Sequence, residues 1–169
     1  QIEAIRNDGA AQDAWLALSQ RLEHIERNSG LAVSQDEFQA LSQRLADAEL
    51  RTAADRLATS FLHEGIGHGD VVMVQLPNIA ELVIVYLAAA RIGAIVSPLA
   101  VQYRAHELRT TAGIVKPKAF ITAKTIAGFD HLALAREVRG DMPDLRVSYG
   151  LTDEATPDVL SLGEIIRGG

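Results

Sequence analysis

The residue types that most often carry chemistry form few suggestive patterns in this sequence. Cysteine is absent, which excludes a thiolate nucleophile, a disulfide framework and a zinc ribbon. The histidines have no metal-ligand spacing, and His106-Glu107 is not followed by the second histidine of a zinc helix. We therefore expect surface histidines, no metal site and no catalytic residue in this chain. The histidines are His24, His63, His68, His106 and His131.

Two further motifs favour architecture over chemistry. The glycines of Gly65-x-Gly67-x-Gly69 follow a predicted helix and precede a predicted strand, whereas a dinucleotide-binding loop requires the opposite order. We interpret them as a helix stop and a turn. Ser97 precedes Pro98 without a partner histidine or the glycines of a nucleophile elbow, so we assign it no catalytic role.

Composition and charge exclude several classes of protein. The net charge of −6 argues against a nucleic-acid surface, because phosphate binding requires clustered lysine and arginine. The longest apolar run, residues 82–90, is far shorter than the ~20 residues that a membrane-spanning helix needs. The first residues lack the pattern of a signal peptide. These features predict a folded cytoplasmic protein with no membrane span and no nucleic-acid partner.

The first part of the chain contains an internal repeat, since residues 13–22 recur as residues 36–45. Apolar residues three and four apart in both copies predict amphipathic helices. Ser34 and Glu37 form a capping box that starts the second helix. We predict a helical hairpin over residues 1–47, which docks on the rest of the chain or on a second copy. The two apolar stripes are Trp15, Leu18, Leu22, Ile25 and Phe38, Leu41, Leu45, Ala48.

The second helix is expected to extend to Glu64, with a change of apolar face. The step from Leu45 to Leu50 rotates the stripe by about 140° at 100° per residue, so the two halves would contact different partners. A break near Ala48 explains the pattern equally well. The sequence leaves both alternatives open.

Apolar runs and helical patterns alternate from Gly65 onward, which predicts an α/β fold with a mostly parallel sheet flanked by helices. Asn78 with Glu81 suggests a helix start, and Gly93 is placed as a helix C-cap. The predicted strands are 71–76, 94–97, 119–122 and 145–149. The predicted helices are 79–92, 104–115, 130–139 and 161–167.

An ordered series of segments over about residues 48–165 resembles the N-terminal part of the AMP-binding domain of acyl- and aryl-CoA synthetases, which are adenylate-forming enzymes of the ANL superfamily. The resemblance implies that residues 48–169 form the first α/β subdomain of such a domain. The matching segments are 48–58, 64–72, Leu76-Pro77-Asn78 with Glu81, 87–99, Glu107-Leu108, 119–122 and Lys124-Thr125 with Gly128-Phe129-Asp130.

The same resemblance implies a reaction, its cofactors and one candidate binding residue. Members of the family use ATP and Mg2+ to join a carboxylate to AMP and then pass the acyl group to CoA, and fatty acid metabolism is a common setting. Lys124 lies in the loop that in related ligases helps bind the 3′-phosphate of CoA. Ala127 stands where relatives often have arginine, so Lys124 lacks its usual basic neighbour.

The sequence departs from the family pattern in two places, and two functional hypotheses follow. A helical repeat stands upstream where relatives have a β-hairpin, and the Pro-Lys-Gly phosphate loop and the catalytic lysine are missing. The first hypothesis is that the chain is the N-terminal portion of an AMP-forming carboxylic acid–CoA ligase. It would be inactive by itself and would have the remainder of the ligase as its partner. The alternative is a non-catalytic assembly module that reuses the subdomain, with the hairpin as the contact that forms a homo-oligomer. The acid substrate is left open.

Overall fold

The structure, a computed structural model, describes residues 35–152 and 156–168. The chain divides between Ala48 and Glu49 into two compact units. The first copy of the repeat, including Trp15, and the capping serine Ser34 lie outside the described residues. The helical hairpin and its oligomeric role therefore stay predictions.

The first described helix, α1, is continuous over Gln35–His63, so it has no break near Ala48. Its later part follows the expected stripe, since Leu57 and Phe61 are completely buried. Leu41 and Leu45, from the earlier stripe, are each 47% exposed. The shift of the apolar pattern thus changes what the helix buries without interrupting its backbone.

The remaining elements alternate as predicted, with small differences at their ends. The main strands are β1 (Val71–Gln75), β2 (Ile95–Pro98), β3 (Ala119–Ala123), β6 (Val147–Leu151) and β7 (Leu160–Ser161). The helices after α1 are α2 (Ala80–Ile92), α3 (Ala105–Val115), α4 (His131–Val138) and α5 (Leu162–Arg167), and a short 3-10 helix, Arg139–Asp141, follows α4. A small antiparallel pair, β4 (Thr125–Ile126) and β5 (Phe129–Asp130), was not predicted.

The five main strands form one parallel sheet in the order β2-β1-β3-β6-β7. In register, Val72 of β1 lies opposite Ala119 of β3, and Ala119 lies opposite Val147 of β6. This arrangement confirms the predicted α/β fold with a parallel sheet flanked by helices. Among the described helices, none is long and apolar enough to cross a membrane.

Alternate residues of the strands enter two hydrophobic clusters on opposite faces of the sheet. Val72 and Val74 of β1 belong to the cluster under α1, α2 and α5. Met73, between them, belongs to the cluster under α3 and α4, together with Phe120 of β3. The sheet is therefore the middle of three layers, and nearly continuous apolar runs such as residues 71–74 are explained because both faces are covered.

For helix α2, the predicted C-terminal end is confirmed, whereas the predicted N-cap residue is wrong. Gly93 adopts a left-handed conformation with φ of 72°, and its N–H donates to the carbonyls of Ala89 and Ala90. Asn78 is not the N-cap of α2; Ile79 occupies that position, with no side-chain cap hydrogen bond. The reason is that the chain turns for one residue longer after Pro77, where the Ile79 N–H donates to the Pro77 carbonyl.

Candidate functional site

The carboxyl ends of the parallel strands meet at one edge of the sheet. The chain passes from β1 to its neighbour β2 on one side, and then returns to place β3 on the other side of β1. This is a topological switch point, the place where open α/β sheets most often bind ligands. Side chains at this edge are therefore the first candidates for function.

The edge is closed over β1 by the loop formed by residues 99–104. Gln75, the last residue of β1, is completely buried, and its Nε2 donates to the carbonyls of Ala100 and Tyr103 at 3.0 Å each. The hydroxyl of Thr122 in β3 donates to the Gln75 carbonyl at 3.1 Å. Within the described part of the chain, Oε1 of Gln75 has no hydrogen-bond partner. Gln75 therefore holds the loop at the cost of one unsatisfied buried acceptor.

His131 secures the same loop from the other side, and the prediction that it lies at the surface is wrong. The residue is 1% exposed. Its Nδ1 lies 3.0 Å from the carbonyl oxygen of Phe129, and its Nε2 lies 3.0 Å from that of Val101. A neutral imidazole carries one N–H, so it donates to one of these carbonyls, whereas a protonated ring donates to both. The side chain is turned inward because α4 begins here, with Asp130 accepting from the Ala133 N–H at 2.8 Å.

Arg104 and Phe129 cover this closed region. The Arg104 guanidinium lies 3.9 Å from the centre of the Phe129 ring, and the ring meets His131 edge-on at 5.1 Å. The backbone N–H of Arg104 donates to the Glu107 carboxylate at 3.0 Å. That hydrogen bond is the main reason that the pKa of Glu107 is lowered. Glu107 and Phe129 belong to separate segments of the family resemblance, and in the structure both contact Arg104 at this end of the sheet.

A cavity of about 540 Å³ lies at the open part of the edge, beyond β3 and β6. Lys124 directly follows β3; its N–H donates to the Leu151 carbonyl and its carbonyl accepts from the His131 N–H. The backbone of Lys124 is therefore fixed while its side chain is exposed. The cavity is lined by Ala123, Lys124, Thr125, Leu151, Thr152, Gly163 and Arg167.

Arg167, in the last turn of α5, is a cavity residue that the sequence did not single out. Its carbonyl accepts from the Arg56 guanidinium of α1 at 2.7 Å, which ties the end of α5 to α1. At the start of α5, Ser161 caps the helix by accepting from the Glu164 N–H at 3.1 Å, and its hydroxyl donates to the Thr152 carbonyl at 2.8 Å. These contacts place α5 against the carboxyl end of β6. The Arg167 side chain of α5 lines the cavity there.

Away from the cavity, arginine side chains form ion pairs with nearby carboxylates. Arg136 of α4 lies 2.8 Å from Asp158, which also accepts from the Thr156 hydroxyl at 2.9 Å. The bond from Arg136 is the main cause that lowers the pKa of Asp158, and the same bond raises the pKa of Arg136. In the described part of the chain, no group of three or more histidine, aspartate or glutamate side chains is placed to hold a metal ion.

Comparisons with known proteins agree with the geometry of the sheet. The family model described as "AMP-binding enzyme" matches residues 29–163. The chain is 39% identical over 111 residues to 2,3-dihydroxybenzoate-AMP ligase of Bacillus subtilis, covering 64% of this chain and 21% of that protein. It is 36% identical over 126 residues to salicylyl-CoA synthase / salicylate adenylyltransferase of a Streptomyces species, covering 72% of this chain and 22% of that protein.

The solved structure of acetoacetyl-CoA synthetase from Streptomyces lividans superposes with a TM-score of 0.64 at 27% identity, covering 72% of this chain and 20% of that chain. The chain therefore spans about a fifth of the length of the relatives that it matches. The two curated relatives are named for aromatic acids, so the expectation of fatty acid metabolism finds no support in them.

Proposed function

The chain belongs to the AMP-binding enzyme family, and on that premise we propose that it is the N-terminal α/β portion of an AMP-forming carboxylic acid–CoA ligase. The family match over residues 29–163 is the observation that carries this proposal. The names of the two curated relatives favour an aromatic carboxylic acid as the substrate.

Within such a ligase, this portion supplies the framework rather than the adenylating groups. Adenylation requires cations and backbone N–H groups around the transferring phosphate, and a bound metal ion. The described residues contain no acidic cluster that fits Mg2+ and no Ser/Thr/Gly loop that fits the ATP phosphates. No step through ATP or Mg2+ is therefore assigned to these residues, and this chain alone is expected to be inactive.

Lys124 is the one predicted site residue with a placement that suits a ligand. Its backbone is fixed between β3, β6 and α4, and its exposed side chain lines the cavity at the carboxyl edge. A lysine at this position is suited to the 3′-phosphate of CoA, which carries close to two negative charges at neutral pH. We assign this contact to Lys124 as part of the proposed function.

Acid-dependent ATP–pyrophosphate exchange tests the proposal. The assay is run on the 169-residue chain and on the product of the complete reading frame that contains it, with salicylate, 2,3-dihydroxybenzoate, benzoate and acetoacetate. We expect no exchange by the chain alone and exchange with at least one aromatic acid by the complete product. Absence of exchange with every acid in the complete product would favour the assembly module instead.

A further inference from the structure

The outer face of helix α2 is apolar and exposed. Val83 and Tyr86 are 49% and 43% exposed, Ala90 is exposed, and Ile79 at the start of the helix is half-buried. These four residues are three or four positions apart, so they lie along one side of the helix, which we call the outer stripe of α2. The opposite side, with Val85 completely buried, packs on the sheet. The outer stripe is therefore apolar surface that the described residues leave largely uncovered.

Helices α3 and α4 differ from α2 on their outer faces. α3 exposes His106 and Arg109, and α4 exposes Arg136 and Glu137, whereas all four positions of the outer stripe of α2 are uncharged. A helix that is apolar on every side is normally covered on every side. Contiguous exposed apolar surface marks an interaction site, whereas single exposed apolar residues do not. The composition of α2 thus fits a helix that has a second layer of protein against its outer face.

The outer stripe belongs to the side of the unit that carries β2. Helix α2 connects β1 to β2, and β2 is the outermost strand at that end of the sheet. Arg91 of α2 forms an ion pair with Asp55 of α1, so α1 covers one flank of α2. Ile95 of β2 is 54% exposed, and the described residues contain no strand that pairs with the outer edge of β2. This side of the unit therefore offers both an uncovered helix and an unpaired strand edge.

We infer that the outer stripe of α2 is a docking surface for the part of the ligase that this chain does not contain, an inference that rests on the proposed function. The chain spans about a fifth of the length of the relatives that it matches, so most of such a ligase lies outside these residues. The docked surface is apolar and uncharged, because a charge placed over the stripe would lose its hydration without gaining a partner. It also carries a hydrogen-bond acceptor for the Tyr86 hydroxyl, since buried phenols normally keep a partner.

A second copy of this chain fits the surface less well, because the stripe is too small for a stable dimer. From Ile79 to Ala90 the stripe is about 17 Å long, at about 1.5 Å per residue, and a helix is only about 10 Å wide. Such a surface covers about 200 Å², whereas each partner in a stable complex of separate proteins buries about 800 Å². A partner on the same polypeptide needs less area, since its high effective concentration replaces much of the cost of association.

Thiol labelling tests the inference, because the chain contains no cysteine of its own. Val83→Cys and Ala90→Cys place single thiols on the outer stripe. Ile114→Cys is the matched control, since Ile114 is an apolar residue of α3 that is 77% exposed. Each variant is made in the 169-residue chain and in the product of the complete reading frame, and labelling by a maleimide is followed by mass spectrometry of the peptide that carries the thiol. Melting temperatures check that every variant is folded.

In the complete product we expect both stripe thiols to react at least about tenfold more slowly than in the 169-residue chain, and Ile114→Cys to change by less than about twofold. Tyr86→Glu should lower the melting temperature of the complete product and leave that of the 169-residue chain unchanged, since the new charge is buried only where the partner is present.

Equal labelling of the stripe thiols in the two proteins would overturn the inference, and so would an equal slowing at Ile114→Cys. Stripe thiols that are already protected in the 169-residue chain would overturn it as well, because the occupant would then be a second copy or another part of this chain.

The exchange assay separates this inference from the proposed function. Exchange by the complete product, together with stripe thiols that react equally in both proteins, would reject the docking surface and leave the ligase function standing. Protected stripe thiols in a complete product that shows no exchange with any acid would support the docking surface and reject the ligase function.

Discussion

The two halves of the sheet's carboxyl edge differ in how they use their polar residues. Over β1, Gln75 and His131 are buried. Gln75 donates to two carbonyls of loop 99–104, and the ring nitrogens of His131 lie against one carbonyl of that loop and against the Phe129 carbonyl. Beyond β3 and β6, Lys124 and Arg167 line an open cavity. The switch point itself is therefore filled by protein, and the open cavity lies one strand further along. The buried polar groups of the closed half thus stabilise the fold, whereas the two cations of the open half remain exposed at a cavity.

The largest effect is expected from placing a charge in the closed half. Gln75→Glu replaces the donor Nε2 by a carboxylate oxygen that faces the carbonyls of Ala100 and Tyr103. We expect a loss of at least about 3 kcal/mol in the free energy of unfolding at pH 7, measured by urea denaturation. Gln75→Leu is the matched control and should lose less than half as much, because it also removes the unpartnered Oε1. Equal losses in the two variants would contradict this account of Gln75.

A somewhat smaller loss is expected from His131→Ala. The substitution leaves the carbonyls of Phe129 and Val101 without their imidazole contact and creates a cavity under loop 99–104. We expect the free energy of unfolding to fall by about 2–3 kcal/mol. His106→Ala serves as the control because His106 is exposed on α3, and it should change stability by less than about 0.5 kcal/mol. If the two variants were equally stable, His131 would not be a structural residue.

Acid should weaken the ion pair between Arg136 and Asp158. The pKa of Asp158 is lowered in the folded chain, chiefly by the hydrogen bond from Arg136. A carboxyl whose folded pKa is depressed stabilises the fold fully above its unfolded pKa of about 4, and this contribution is lost as pH falls through the lower folded value. Asp158→Asn should therefore lower the melting temperature slightly at pH 6, and the difference from the unmodified chain should shrink toward pH 3. A difference that stays constant with pH would exclude titration of Asp158 as its cause.

The smallest effects on stability are expected in the open half. Arg167→Ala and Lys124→Ala remove exposed side chains that form no salt bridge with any carboxylate in the described ranges. Each should change the free energy of unfolding by less than about 0.5 kcal/mol, measured by urea denaturation at pH 7. If either variant lost about 2 kcal/mol or more of the free energy of unfolding, as substitutions of buried groups do, its cation would be a structural residue like Gln75 and His131.

Much of the fold could be predicted from local sequence. The apolar runs that become β1 and β3 and the helix stop at Gly93 are properties of short segments, so their elements were predicted nearly to the residue. The strands β4, β5 and β7 were missed because two residues are too few to show an alternating pattern. The order of family-like segments also pointed to the family before any geometry was known, since it depends only on succession along the chain.

The candidate site depended far more on tertiary structure. Lys124 was identified through its place in a family-like loop, but nothing near it in the sequence indicated Arg167, which lines the same cavity from α5. His131 resembled the other histidines until packing placed both ring nitrogens against carbonyls. The alternation of strands and helices, and the family, follow from the order of residues along the chain. Which polar groups are buried and which cations share a cavity depends on contacts between segments that are distant in the chain, so these features became visible only in the folded structure.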